Sequence, residues 1–406
     1  MRPTQTPRNT PLSLYLGAFS ASVLAFTLVA CGGGGGDAGP ASLGNSPVSA
    51  SYTEGTLTGF GSIIVNGVRF DESSASVSDD AGQAQSSSAL KLGMRLEVDS
   101  ASVSGGAAKA TAVRFGSALV GPVSAKDAAA QTVTVLGQTV DISATTVFDA
   151  TLSGGLSAIS TGAVLEIHGL TNAATGHLVA TRVESESGAT AFKLRGVVAA
   201  LNSSAKTFAI GGAVIDYSGI AAANLPATLA NGVTLRVLLS TTPNASAQWV
   251  ATALGQGARK GGPDKAQALL RGSISAFTSS TSFSVNGLAV DASGARFSDG
   301  SAGLGLGVQV EVAGTLTNGV LVASAVELEA AHQGDDSRRF ELHGAITALD
   351  TTAKTFTLRG VNVSYAGTVS FSHGTAADLA LGKKVAVKGG IGSTRTLVQA
   401  TAIDFE

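Results

Sequence analysis

One thiol in this chain sits where only one chemistry is specific. Cys31 is the sole cysteine and directly follows Leu28-Val29-Ala30. Arg2 and Arg8 precede an uncharged stretch from Leu14 to Ala30. A basic start, an apolar middle and small residues at a cut site predict a secretory leader over residues 1–30. A cysteine at the cut predicts a lipoprotein signal, in which the thiol takes a diacylglycerol and becomes the mature N-terminus. More than one acyl chain makes such attachment stable. The lipid bilayer is then a partner through acylated Cys31. Gly32, not Asp, follows it, which favours an outer-membrane lipoprotein on the periplasmic or surface face. A plain transmembrane anchor is the alternative, but Gly32 to Gly36 stand where such anchors carry aromatic or basic flanks.

The second group with chemical potential is a set of acids at one repeated position: Asp71, Asp141, Asp216 and Asp291, with Ser364 in the corresponding fifth place. They invite a calcium or sugar reading as weak ligand or cation contacts. Calcium needs several converging oxygens, and each position offers a single acid, so a short side chain bonding nearby backbone amides is the better reading. Glu97, Glu166 and Glu311 lie between two apolar residues of a strand pattern, so they should face water and pair with Arg or Lys across the sheet. Such single acids do not make the two-carboxylate arrangement of a glycosidase. The histidines His168, His177, His332, His343 and His373 show no metal-ligand spacing. Gly303-Leu304-Gly305-Leu306-Gly307 runs into strand alternation at Val308, Val310 and Val312, where a nucleotide loop requires a helix. The sequence therefore predicts no catalytic residue, no metal and no cofactor: not an enzyme.

What positions these residues is a signature that returns five times: Ser62 to Gly67, Thr132 to Gly137, Thr207 to Gly212, Ser282 to Gly287 and Thr355 to Gly360. Each is a short strand with one apolar face, ending in a turn such as Asn66-Gly67 or Asn286-Gly287. Three residues past each glycine comes an apolar side chain: Phe70, Val140, Ile215, Val290 or Val363. A second marker glycine follows after 20 to 26 residues: Gly93, Gly162, Gly232, Gly307 and Gly382. It is trailed by alternating apolar residues and then a final strand such as Ala110-Thr111-Ala112-Val113. Phe208, Phe283 and Phe356 occupy equivalent core-facing places, while Trp249 and Tyr365 are isolated. A spacing of roughly 70 residues is too long for a solenoid unit and suits a small domain. Five strands interrupted after the third follow the OB-fold order.

The predicted fold class is all-β: five tandem, five-stranded OB-like barrels after a lipoprotein signal and a flexible tether. The blocks are 1–30 leader, 31–54 Gly/Ser-rich tether, then β-domains at 55–116, 118–187, 192–257, 269–330 and 340–406. Ala258 to Ala268 and Ala331 to Arg339 read as solvated linkers. Loss of Arg2 and Arg8 with the leader leaves 24 basic against 28 acidic side chains, a formal charge of −4. That balance carries no footprint for nucleic acid. With no cysteine after Cys31, each domain is expected to rely on its own core rather than on disulfides.

Taken together, Gly59-Phe60-Gly61-Ser62-Ile63-Ile64-Val65-Asn66-Gly67-Val68-Arg69-Phe70-Asp71 and the later Gly-x-x-Val-Glu-Val and Ala-Thr-x-Val-Glu markers resemble the bacterial domain of unknown function 5666. The resemblance covers nearly all of the chain beyond the tether. It departs at Arg236, Ala386 and Ser364, which replace expected acids. It implies an exported, often lipid-anchored protein built of tandem domains. The expected function is non-enzymatic, multivalent binding of a glycan or other envelope component. The alternative is a structural spacer or assembly protein that contacts envelope proteins, and an enzyme ranks last.

Overall fold

The computed structural model describes residues 51–256, 264–329 and 340–406. The leader, Cys31 and the tether before Ser51 lie outside the described residues, as does His332. The architecture is all-β. No helix among the described residues is long and apolar enough to cross a membrane.

The first barrel comprises β1 (Ser51–Phe60), β2 (Ile63–Val65), β3 (Val68–Asp71), β4 (Ser76–Asp79), β5 (Arg95–Ser100) and β6 (Ala107–Phe115). β1 pairs antiparallel with β2 and with β5; β2 pairs with β3; β3 and β4 run parallel to β6; and β6 returns antiparallel to β5. This closed ladder is the order of the OB-fold. The second barrel repeats it with β7 (Leu119–Asp127), β8 (Thr132–Val135), β9 (Gln138–Phe148), β10 (Val164–Thr171) and β11 (Leu178–Ser185). The third splits its first strand into β12 (Phe192–Val197) and β13 (Ala199–Asn202), followed by β14 (Thr207–Ile210), β15 (Ala213–Asp216), β16 (Thr234–Leu239) and β17 (Trp249–Gln256). The fourth has β18 (Lys265–Ser279), β19 (Ser282–Val285), β20 (Leu288–Asp291), β21 (Arg296–Phe297), β22 (Gln309–Thr317) and β23 (Val320–Leu328). The fifth has β24 (Phe340–Asp350), β25 (Thr355–Leu358), β26 (Val361–Ser364), β27 (Ser370–Ser372), β28 (Lys384–Ile391) and β29 (Val398–Phe405).

The second marker glycine closes each barrel by a repeated clasp. Gly93, Gly162, Gly232, Gly307 and Gly382 donate their N–H to the carbonyls of Leu57, Val123, Val198, Ile274 and Ile346, at 2.8–2.9 Å. The N–H groups of those same apolar residues return to the carbonyl just after each glycine. The glycines adopt φ between 79° and 86°, a left-handed conformation that side chains resist. An added Cβ meets open space at Gly162, Gly232 and Gly382. At Gly93 it would lie 2.6 Å from the Thr181 carbonyl, and at Gly307 it would strike Asn172 and Ala174, all in the second barrel. Alanine at the three open positions is expected to cost about 1 kcal/mol. At Gly93 or Gly307 the cost should reach roughly 2–4 kcal/mol, since strain and overpacking add. Urea melts of the five variants check this ranking.

The barrels associate through their first strands. Ser51 to Glu54 of β1 pair in parallel with Gln267 to Leu270 of β18. Gly59 and Phe60 pair with Glu341 and Leu342 of β24. Leu119 and Val120 of β7 pair with Leu194 and Lys193 of β12. Because each first strand bends between two partners in its own barrel, each half of it has one open edge, and these edges cap one another. The first barrel thus contacts the fourth and fifth, so the chain does not run as a simple string.

Two expected boundaries need correction. The tether predicted to reach residue 54 ends by Ser51, and the linker predicted to reach Ala268 ends by Lys265. Residues 51–54 and 265–268 are polar and read as loop, yet they form the ladder between the first and fourth barrels. Their polar groups are satisfied there: Ser51 Oγ lies 2.9 Å from Ser100 Oγ, and buried Lys265 lies 2.8 Å from Asp99. The expectation that each domain has its own core also needs correction. One continuous cluster joins the first and fifth barrels, through residues such as Leu57, Phe70, Leu342 and Phe356. Another joins the second and third, through residues such as Leu165, Phe192 and Val237. The fourth barrel has a cluster of its own around Leu270, Val285 and Val312.

Candidate functional site

Where the first, second, fourth and fifth barrels meet, they enclose a cavity of about 740 Å³. That volume falls in the range of roughly 300–1,000 Å³ typical of ligand sites. The first barrel contributes Thr56 and Thr58 from β1 and Arg69 from β3; the second contributes Ser143 and Thr145 from β9 and Thr181 from β11. The fourth adds Arg271, Gln309, Glu311 and Glu327, and the fifth adds Glu341 and Lys388. Ile64, Val147, Leu170, Val179, Leu328 and Phe340 supply apolar surface of at least equal extent. The walls therefore mix apolar side chains with hydroxyls, amides and charges, most of them on strands, which hold side chains more rigidly than loops do.

Most of the charges are paired. Arg271 stands opposite Glu311 on the neighbouring strand, and both its Nε and Nη2 donate to Oε2 of that carboxylate, at 2.8 and 2.6 Å. Arg69 pairs with Glu341, whose pKa is lowered overall: burial opposes this, but the His343 hydrogen bond and the nearby Arg69 outweigh it. His343 also reaches Glu406, at 2.8 Å. Arg95, also in the cavity lining, forms a buried pair with Glu54 at 3.2 Å. Glu54 also accepts from Asn286 Nδ2 of the fourth barrel's hairpin, at 3.1 Å.

Glu97 faces Arg114 across the strands, at 3.5 Å, as Glu311 faces Arg271. The sequence pattern did not disclose a second feature of these strands. Glu311 stands directly opposite Glu327, and Glu166 opposite Glu184. Opposed carboxylates repel. Burial, helped by these neighbours, pushes the pKa of both Glu166 and Glu311 upward, against the pull of Lys193 and Arg271 respectively. A raised carboxyl beside a second one is the outline of an acid–base pair. In Glu311 both prongs of Arg271 hold Oε2, which ties that carboxylate into an ion pair across the strands.

The recurring aspartates are not brought together, and none lines the cavity. Asp71, Asp216 and Asp291 each accept from the backbone N–H two residues on, at Ser73, Ser218 and Ser293, at 2.8–3.0 Å. Their pKa values are lowered chiefly by those serines. Ser364 makes the same turn, accepting from Ala366 N–H at 3.2 Å. Asp141 differs: its carboxylate meets His177 at 2.8 Å. Asp291 borders a separate surface depression of about 360 Å³ beside Thr278 and Ser284. Among the described residues, no group of three or more His, Cys, Asp or Glu could hold a metal ion. Trp249 packs edge-on against Phe192, and Tyr365 against Phe356, so both rings belong to packing.

The model of the family described as "Domain of unknown function (DUF5666)" matches residues 120–184, 271–327 and 343–404. Three segments of the chain thus match the DUF5666 model, as repeats of that domain would. The matched segments fall in the second, fourth and fifth barrels. The first and third DUF5666-like barrels lie outside the matches but share the same strand ladder. No curated protein matches the sequence. One solved structure, "drosophila Unr CSD456", is similar over 52% of this chain and 96% of that chain, at 13% identity and a TM-score of 0.13. The barrel order is read from the ladders themselves.

Sequence reasoning passed over Arg69, Arg271, Glu327 and Lys388 as site residues, because a cavity between repeats has no complete signature within any one of them. The one available signal was the Val-Glu-Val strand with its later Val-Glu partner, which sets two acids on adjacent strands. The shifted acids also set a pH dependence. A carboxyl raised in the folded state stabilises the fold fully below its unfolded pKa, near 4.5, and that contribution is lost as pH rises through the folded value. A chain carrying Glu166→Gln and Glu311→Gln should therefore lose less melting temperature between pH 4.5 and neutrality than the parent. The opposite window belongs to Asp71, Asp216 and Asp291, whose contribution is lost as pH falls below 3.8. Thermal melts across pH read both.

Proposed function

We propose that this chain is a lipid-anchored, non-enzymatic protein of the cell envelope that binds an envelope glycan. The observation that carries this reading is the cavity shared by four barrels, whose walls combine hydroxyl, amide and charged side chains with apolar ones. Pre-formed mixed walls on rigid strands suit a sugar, whose hydroxyls take hydrogen bonds while its C–H faces lie on apolar side chains. The reading differs from five separate weak sites. Here repetition supplies the walls of one composite site, and first-strand pairing holds those walls together. The leader and Cys31 support placement at a membrane surface.

The test is retention of the full-length chain, produced with Cys31→Ser to keep it soluble, on purified sacculi and on envelope polysaccharide. Retention that is lost when soluble oligosaccharide competes supports the reading. Failure of every envelope glycan to retain the chain overturns it. Metabolic labelling of the unmodified chain with a fatty-acid analogue checks acylation at Cys31.

A further inference from the structure

The cavity walls differ in charge. Among the described residues that line the cavity on the fourth barrel, Glu311, Glu327 and Glu329 stand with one cation, Arg271, which pairs with Glu311. Glu327 also accepts from Ser298 Oγ at 2.9 Å, which fixes its carboxylate on the strand. The mutual repulsion of these three acids is expressed at Glu311, where Glu327 and Glu329 both add to the upward push of burial. On the other side, Arg69 and Lys388 share one acid, Glu341, and Lys388 stands directly opposite Glu341 on the adjacent strand. Arg95 is matched by Glu54 and adds no surplus. Among the described lining residues, the fourth barrel's share thus has excess negative charge and the share from the first and fifth barrels excess positive charge, while Thr56, Thr58, Ser143 and Thr145 add hydroxyls.

We propose that the cavity holds an oligosaccharide segment bearing one ammonium and one acidic group, the ammonium against Glu327 and Glu329 and the acid against Arg69 and Lys388. The assignment rests on the envelope-glycan reading and narrows it. A neutral sugar would leave both surpluses in place. A ligand of one sign would relieve one wall and be repelled by the other. A dipolar ligand compensates both at once, and its hydroxyls match the uncharged walls.

The experiment is calorimetric titration of the full-length Cys31→Ser chain with four disaccharides of one size. Glucosaminyl-N-acetylmuramic acid carries amine and acid, and N-acetylglucosaminyl-N-acetylmuramic acid carries the acid alone. Glucosaminyl-N-acetylglucosamine carries the amine alone, and diacetylchitobiose carries neither. The dipolar sugar should bind about tenfold more tightly than either singly charged one, the factor that one charge-assisted contact supplies. Glu327→Gln with Glu329→Gln should erase the advantage of the amine, and Lys388→Gln the advantage of the acid. Triglycine, with both charges and no hydroxyls, should bind more weakly than the dipolar sugar. Equal binding of triglycine would replace the oligosaccharide by a peptide and overturn the proposal. Equal binding of all four sugars overturns it too, but leaves the glycan reading standing. If none of the four binds while sacculi still retain the chain, the charge assignment alone fails. The comparison among the four sugars on the parent chain decides the matter even if a variant misfolds.

Discussion

Replacing Glu54 with Leu should destabilise the protein by about 3–5 kcal/mol, and replacing Arg95 with Met by a similar amount. Both residues are 2% exposed, so either change strands the other charge away from water. Arg95 Nη2 donates both to Glu54 and to the carbonyl of Arg271, and its Nη1 donates to Thr56. Tyr52 and Asn286 donate to the remaining capacity of Glu54. The group therefore ties the first barrel to the fourth through charge-assisted bonds, right beside the ladder between β1 and β18. Because the desolvation cost of a buried pair is large, removing both charges together should cost far less than the two single changes added. The double variant is expected to lie within about 2 kcal/mol of the parent. A double-mutant cycle by chemical denaturation measures this. Single variants that melt within about 1 kcal/mol of the parent would show that water reaches the pair.

Much of each barrel was legible because local rules set it. The turn Asn-Gly pairs, with Asn66 and Asn286 both at φ 51°, are hairpin turns in the structure. Phe70, Val140, Ile215, Val290 and Val363 are all buried. The marker glycines had a reason the pattern did not state: each must leave its N–H free for the first strand while adopting a left-handed turn. What the sequence concealed lies between barrels. Ser51-Tyr52-Thr53-Glu54 has the composition of a loop, and only a partner strand more than two hundred positions away makes it a ladder. No periodicity within one repeat encodes that partner.

The candidate site was hidden for the same reason. The repeated Asp drew attention because repetition is visible, yet its role in three repeats is a local turn, and in the fifth Ser364 does the same work with a hydroxyl. The cavity draws Glu311 and Glu327 from repeated positions, but its cations are not repeated. Arg69, Arg271 and Lys388 come from different places in three different barrels, and they converge only because β1 pairs with both β18 and β24. Function in such a chain is carried by asymmetry among repeats, which a search for shared markers discards.

That division of labour leads to an expected order of independence among the barrels. The fourth barrel, excised as 264–329, has its own apolar cluster and should fold. It should also self-associate, because the edge of β18 from Gln267 to Leu270 loses its partner strand. The first barrel alone, 51–116, should fail to melt cooperatively, since its cluster continues into Leu342, Phe356 and Val387 of the fifth. A domain near 60 residues is marginal even with a complete core, and this one would expose both Phe60 and the edge from Ser51 to Glu54. The second and third barrels together, 118–256, share one cluster and pair β7 with β12, so they should form a monomeric, cooperative unit. Sedimentation and calorimetry on the three fragments test the order. A monomeric first barrel with a sharp transition would mean that the shared cores are mere contact, and that the composite cavity is free to open.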